Sequence, residues 1–316
     1  MKEFGGYIEL EKNRGELLHS KAVALNCGRS CLVYLAKAKK IEKLYIPFFL
    51  CDSVKNVCDR ENIKTEFYHT DERFMPENLS LGENEWLYIV NYYGQLGASA
   101  IEKLREKYER IIVDNAQAYF QEPVSGVDTL YTCRKFFGVA DGAFLYTDTR
   151  LDEELEKDLS YDRMRFLLGR FEKTASEFYG EYVDNNRLFK NEPVKTMSRL
   201  TENLLRGVDY EFVRNRRTEN FRLLHNAFGE LNKLRLSAPE GAYMYPLYIE
   251  GGSEIRKQLQ QKKIYIPTLW PYVFETCGED SREYNMAQNI LPLPIDQRYT
   301  TEDMDCLVRE VLKCIN

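Results

Sequence analysis

The sequence predicts an α/β protein: a large domain built on a mostly parallel central sheet, followed by a smaller C-terminal α+β domain. Three observations carry this. Between Ala22 and Asp148, short apolar β-type runs alternate with amphipathic helical stretches. From Leu151 the pattern changes to long stretches of helical period. Beyond the turn at Pro239 to Gly241 the alternation returns and ends in a helical segment. The 316 residues suffice for two domains of the usual size, roughly 100 to 200 residues each. The expected division is 15–200 and 201–316, with residues 1–14 packed on the second.

Strands are expected near Leu44–Ile46, Thr65–Tyr68, Trp86–Asn91, Arg110–Asp114, Thr129–Thr132 and Ala143–Thr147, each a short run of branched or aromatic residues. Helices are expected over Ser30–Lys39, Ser53–Glu61 and Ser99–Tyr108, each preceded or opened by a Ser or Asp able to cap it. The helical period then spans Asp152–Glu181 and Arg199–Phe228, the latter through Leu204, Leu205, Val208, Phe212, Phe221 and Leu224. Tyr243–Ile249 and Ile264–Ile266 read as strands and Thr300–Cys314 as a helix. No internal repeat is present, which excludes a solenoid or propeller.

Composition narrows the function. A net charge of −6 without a basic stripe disfavours nucleic acid as a partner and leaves small molecules. The N-terminal run Met1-Lys2-Glu3-Phe4-Gly5-Gly6 has no apolar core and no stretch reaches the roughly 20 apolar residues of a membrane span, so a cytosolic protein is expected. The cysteines at 27, 31, 51, 58, 133, 277, 306 and 314 form no CxxC pair, and the histidines at 19, 69 and 225 are far apart. Neither a structural metal nor a disulfide framework is expected. The Asn78-Leu79-Ser80 sequon is idle in a cytosolic protein.

Three segments carry chemistry. Ile111 to Ala118 is an apolar strand ending in Asp114 and, three residues on, Gln117, where ligands of parallel sheets bind. Asp128 to Gly138 delivers Lys135 to the same sheet edge, followed by Phe136 and Phe137; a lysine desolvated by such neighbours holds the neutral amine that a Schiff base requires. Asn26-Cys27-Gly28-Arg29-Ser30 is a glycine turn opening a helix, whose free N–H groups suit a phosphate. Singly, these read better as an N-cap or surface turn, a surface lysine and an ordinary helix start. Together, an anion-binding turn, an acid on one strand end and a lysine on the next match the needs of pyridoxal 5'-phosphate (PLP).

The order of these segments, with Val90-Asn91-Tyr92-Tyr93-Gly94-Gln95 between the first and the acid, resembles the DegT/DnrJ/EryC1/StrS family of sugar aminotransferases. The likeness covers about residues 22 to 150 and resumes at Leu291 to Ile295 and Tyr299 to Asp303. It implies a fold-type I PLP-dependent transferase. By position it implies that Lys135 carries the cofactor and Asp114 faces the pyridine nitrogen. Gln117 would reach the phenolic oxygen or stack nearby. Gly28, Arg29 and Ser30 would cradle the phosphate with a hydroxyl from Thr132, and Phe49 would stack on the ring. It further implies a cytoplasmic homodimer with shared active sites, taking an amino group from glutamate to a nucleotide-linked keto sugar by a ping-pong cycle. In such enzymes a segment like Asn185-Asn186-Arg187 completes the partner's phosphate site. Arg134 has three readings: a ligand for a substrate carboxylate, a like charge lowering the amine's pKa, or a side chain turned to solvent or Asp128. The chain departs from the family's Ser-aromatic-His-Pro-Thr-Lys run and has Arg29 in place of the phosphate-turn Thr. These departures leave two other uses of the scaffold open, a binding protein without catalysis and a PLP-dependent sugar dehydratase.

Overall fold

The computed structural model describes residues 4–77 and 79–315; Met1 to Glu3, Asn78 of the sequon and Asn316 lie outside the described residues. Strands β1 (Val23–Leu25), β2 (Lys43–Pro47), β3 (Lys64–Tyr68), β4 (Glu85–Val90), β5 (Ile111–Asp114), β6 (Asp128–Thr132) and β7 (Ala143–Tyr146) form one sheet in the order β1-β7-β6-β5-β4-β2-β3. Only β7 runs against the others. Helices α1 (Gly28–Lys39), α2 (Asp52–Arg60) and α3 (Ala98–Tyr108) make the crossovers. The carboxyl ends of β1, β2, β4, β5 and β6 therefore share one edge, where the candidate residues lie.

Both faces of the sheet are covered. Leu32, Leu35, Val54 and Val57 of α1 and α2 pack on Ile46, Tyr88, Ile112 and Leu130. Ile101, Leu104 and Tyr108 of α3 cover Leu87, Ile89 and Val113 on the other face. Strands buried on both sides read as continuous apolar runs, the pattern of Ile111-Ile112-Val113.

The expected capping of the first three helices is corrected. Their N-cap residues are Cys27, Cys51 and Gly97, and none makes a side-chain capping bond. Ser30 is the third residue of its helix and Ser53 and Ser99 the second of theirs, too late to serve the first N–H groups. At α1 and α2 this leaves free donors facing the sheet edge.

The expected helix Asp152–Glu181 is also corrected. Thr196 N donates to Glu156 O at 2.8 Å and Asp158 N to Thr196 O at 3.0 Å, holding that stretch extended beside the sheet. Helix resumes only as α4 (Arg165–Glu172) and α5 (Tyr179–Leu188). Arg199–Phe228 is two helices, α6 (Arg199–Leu205) and α7 (Tyr210–Phe228), because Asp209 caps a new start through Phe212 N. Asn13 and Asn203 bond to each other, tying the N-terminal segment to α6.

Beyond α7, β8 (Met244–Tyr248), α8 (Gly252–Gln261), α9 (Val273–Thr276), α10 (Arg282–Asn289), β9 (Ile290–Pro294) and α11 (Thr301–Ile315) follow. β8 and β9 pair antiparallel, and their core joins Phe221 and Leu224 of α7 to Leu259, Met304 and Val311. Ile264–Ile266 is not a strand. The resemblance at Leu291 to Ile295 falls on β9 instead.

Candidate active site

Register places the site residues on one face. Asp114 lies opposite Leu130 on β6 and opposite Val90 on β4. Since side chains alternate along a strand, Asp114, Leu130, Thr132, Val90 and Tyr88 all project to the α1 side. Gly28 sits over that face, where an added Cβ would lie 3.9 Å from Leu130 Cδ1. The sheet thus brings Gly28, Arg29 and Ser30 to the edge that holds Asp114 and Thr132.

Asp114 is buried and held at both oxygens. Ala116 N donates to Oδ1 at 2.8 Å and the Tyr88 hydroxyl to Oδ2 at 2.7 Å. Burial, then the Asp114 charge, pushes the Tyr88 hydroxyl well above the usual tyrosine range, so it remains a donor. Gln117 is buried with its Oε1 accepting from Tyr93 N at 2.7 Å. Tyr93 adopts φ 54 to present that N–H, in a turn completed by Gly94 at φ 75.

Lys135 follows Thr132 in a turn closed by Phe136 N and Phe137 N on Cys133 O. The expectation that Phe136 and Phe137 desolvate it is corrected. Their rings turn into the core against Tyr119 and Tyr210, while Lys135 is exposed with Nζ 5.5 Å from the centre of the Tyr243 ring. Among the described residues no carboxylate pairs with the amine, which lies exposed beside Tyr243. Phe49 is not brought to the other candidates: it is 1% exposed and packs on Trp270 at 4.6 Å and Tyr92 at 5.4 Å.

The α1 end of the site is rich in unpaired donors. Ser30 Oγ donates to Asn26 Oδ1 at 2.6 Å, and Asn26 Nδ2 is enclosed with no partner. Arg134 does not turn to Asp128, which pairs with Lys39 at 2.8 Å. It turns inward, donating to Asn186 Oδ1 at 2.6 Å. Asn185 Nδ2 donates to Ala140 O at 2.9 Å. The segment expected at a partner's site therefore packs on its own chain's lysine loop, because α5 lies across residues 134–140.

Sequence reasoning missed Asn26 as a donor, Tyr88, Tyr243 and Asp141. Asp141 is fully buried and accepts from Ser198 N and the hydroxyls of Ser198 and Thr201. The strand register alone could have found Tyr88, two residues before the partner of Asp114. The others depend on distant segments.

No protein-family model and no curated protein matches the sequence. Solved structures match over most of their length. DesV of S. venezuelae, in complex with a ketimine intermediate, is 15% identical with a TM-score of 0.64, over 92% of this chain and 84% of that one. A sugar aminotransferase from Micromonospora echinospora is 12% identical with a TM-score of 0.61, over 93% and 88%. A DegT DnrJ EryC1 StrS aminotransferase from Brucella abortus is 14% identical with a TM-score of 0.60, over 92% and 85%. Such identities establish architecture: the chain has the fold-type I fold of the PLP-dependent aminotransferases, with the candidate residues at the carboxyl edge of its sheet.

Proposed function

We propose that this protein is a PLP-dependent aminotransferase that moves an amino group from glutamate to a nucleotide-linked keto sugar by a ping-pong cycle. One observation carries the reading: a single sheet edge joins a fixed carboxylate, an exposed lysine amine and an uncapped helix N-terminus with an enclosed, unpartnered amide donor beside it. Those groups fit PLP. When bound, PLP supplies an aldehyde that condenses with amines and a ring that takes up the electrons of a substrate carbanion.

Each role then falls to a residue. Lys135 Nζ, exposed beside Tyr243, bonds the cofactor and afterwards carries the proton at the substrate carbon. Asp114, oriented by Tyr88 and Ala116 N, holds the protonated ring nitrogen. Gln117, whose oxygen is taken by Tyr93 N, offers its amide nitrogen to the phenolic oxygen. Gly28, Arg29, Ser30 and Thr132 face the phosphate. Tyr243, beneath Lys135, walls the substrate side.

In the same reading, residues 15–200 form the cofactor domain and 201–316 the smaller one. The protein is a cytosolic homodimer, and the exposed Leu159, Tyr161, Leu168 and Phe171 supply apolar surface for a second copy. The keto-sugar acceptor rests on the family resemblance and on the sugar aminotransferases that share the fold.

The test is a half-reaction. Glutamate added to the PLP-loaded protein converts its visible absorption to that of the pyridoxamine phosphate form and releases one equivalent of 2-oxoglutarate. Loaded protein that responds to no amino donor sinks the transaminase reading and favours a binding protein.

A further inference from the structure

Arg134 is a cation with no charge to meet. Its Nη1 donates to Asn186 Oδ1 at 2.6 Å, its guanidinium carbon lies 4.5 Å from the centre of the Phe189 ring, and its Nε is enclosed without a partner. No carboxylate pairs with it among the described residues. Asp141, an acid that acts on it, has both oxygens committed to Ser198 and Thr201. Removing a guanidinium from water without a counter-charge is costly, and such charges are retained where a ligand supplies one.

The same corner holds the N-terminus of α1. Cys133 N donates to Gly142 O at 3.0 Å and Gly142 N to Asn26 O at 2.6 Å, which sets the chain entering Arg134 beside the turn that opens α1. The first turn of this 12-residue helix has no side-chain cap and no acidic residue. Its free N–H groups and positive dipole end are therefore unmet. Asn26, 0% exposed and tied through Oδ1 to Ser30, leaves Nδ2 unpartnered at the same place. The unmet groups are all donors: Arg134 Nε, Asn26 Nδ2 and the main-chain N–H groups. Donors converging on a guanidinium fork and a helix end describe a phosphate monoester site.

We infer that Arg134, together with Asn26 Nδ2 and the first N–H groups of α1, grips the cofactor's phosphate, and that Asn186 and Phe189 of the same chain hold Arg134 in place. The inference rests on the PLP reading above and adds to it a charged ligand outside the motif that suggested Gly28, Arg29 and Ser30. Asn186 and Phe189 are positioning residues. The phosphate's charge is thus met by Arg134, which the segment first expected to serve a partner holds in place.

The test compares the full-length wild type with Arg134→Gln and Arg134→Lys, by thermal melting and by binding of PLP, pyridoxal and inorganic phosphate. Ligand-free Arg134→Gln melts no lower than wild type, because an unpaired cation has been removed. Its affinity for PLP falls about 30-fold or more, while its affinity for pyridoxal, which lacks the phosphate, is unchanged. Inorganic phosphate raises the melting temperature of the wild type but not of Arg134→Gln, and Arg134→Lys recovers part of both effects. A lower ligand-free melting temperature with PLP affinity intact overturns the inference and makes Arg134 structural. Wild type that takes up neither PLP nor pyridoxal, yet is stabilised by phosphate through Arg134, keeps the anion site and refutes the cofactor reading alone. Wild type that responds to none of the three refutes both.

Discussion

The Tyr88 hydroxyl donates to Asp114 Oδ2 at 2.7 Å across two neighbouring strands, and Ala116 N donates to the other oxygen at 2.8 Å. A carboxylate fixed at both oxygens in a buried setting cannot swing, which is what an anchor for a ring nitrogen requires. Tyr88→Phe leaves Asp114 with one donor fewer. A hydrogen bond to a charged group is worth about 1.5–3 kcal/mol, and the variant is predicted to lose that much in urea denaturation. Unchanged stability would show that the bond carries no weight.

Asp114→Asn keeps the shape of the side chain and removes its charge. The glutamate half-reaction is predicted to slow by about 100-fold or more, the scale for losing one preorganised electrostatic contact. The visible band at Lys135 persists, since that bond does not depend on Asp114. Stopped-flow spectra check both, and a near-wild-type rate removes Asp114 from the site.

His19 sets a pH dependence of stability. Burial, against the opposing bond to Tyr119 O, lowers its pKa from 6.5 to about 4. Between those values the unfolded chain binds a proton that the folded chain refuses. Stability is therefore full above about pH 6.5 and is lost as pH falls toward 4, by about 3 kcal/mol for this group. The difference between wild type and His19→Phe in denaturant titrations from pH 7.5 to about 4 isolates the effect. Parallel pH profiles would contradict it.

Gly142 joins the site to β7. Its N donates to Asn26 O at 2.6 Å with φ 113, and an added Cβ would lie 3.0 Å from Thr201 Cγ2 and 3.2 Å from Cys133 Sγ. Gly142→Ala is predicted to cost about 2 kcal/mol or more, through the strained φ and the crowded Cβ. Thermal melting reads this directly, and a wild-type melting temperature would contradict it.

Much of the large sheet was legible because β2 to β7 are branched or aromatic runs broken by clear turns. β1 was missed because the three residues Val23–Leu25 are too few to show a period. β9 was missed because Pro292 and Pro294 argue against a strand; they fit a two-stranded sheet, where both strands are edges and Pro246 pairs with Pro292. The extended stretch near Lys157 read as helix because only its pairing with Thr196, far along the chain, holds it open. In the site, Asp114, Gln117, Thr132, Lys135 and Gly28 to Ser30 stand out in the sequence because each ends or follows a strand, which puts them at one sheet edge; their roles remain proposals. The surroundings were not legible. That Phe136 and Phe137 turn into the core, that Phe49 is spent against Trp270, and that Arg134 reaches Asn186 are results of tertiary packing.

Lys135 is proposed to hold the cofactor. The direct measurement is borohydride reduction of the PLP-loaded protein followed by proteolysis and mass spectrometry. The expected result is loss of the visible band, one phosphopyridoxyl group per chain on the Lys135 peptide, and no such label in Lys135→Ala. A label on another lysine, or a Lys135→Ala protein that keeps the band and transaminates glutamate, would contradict it.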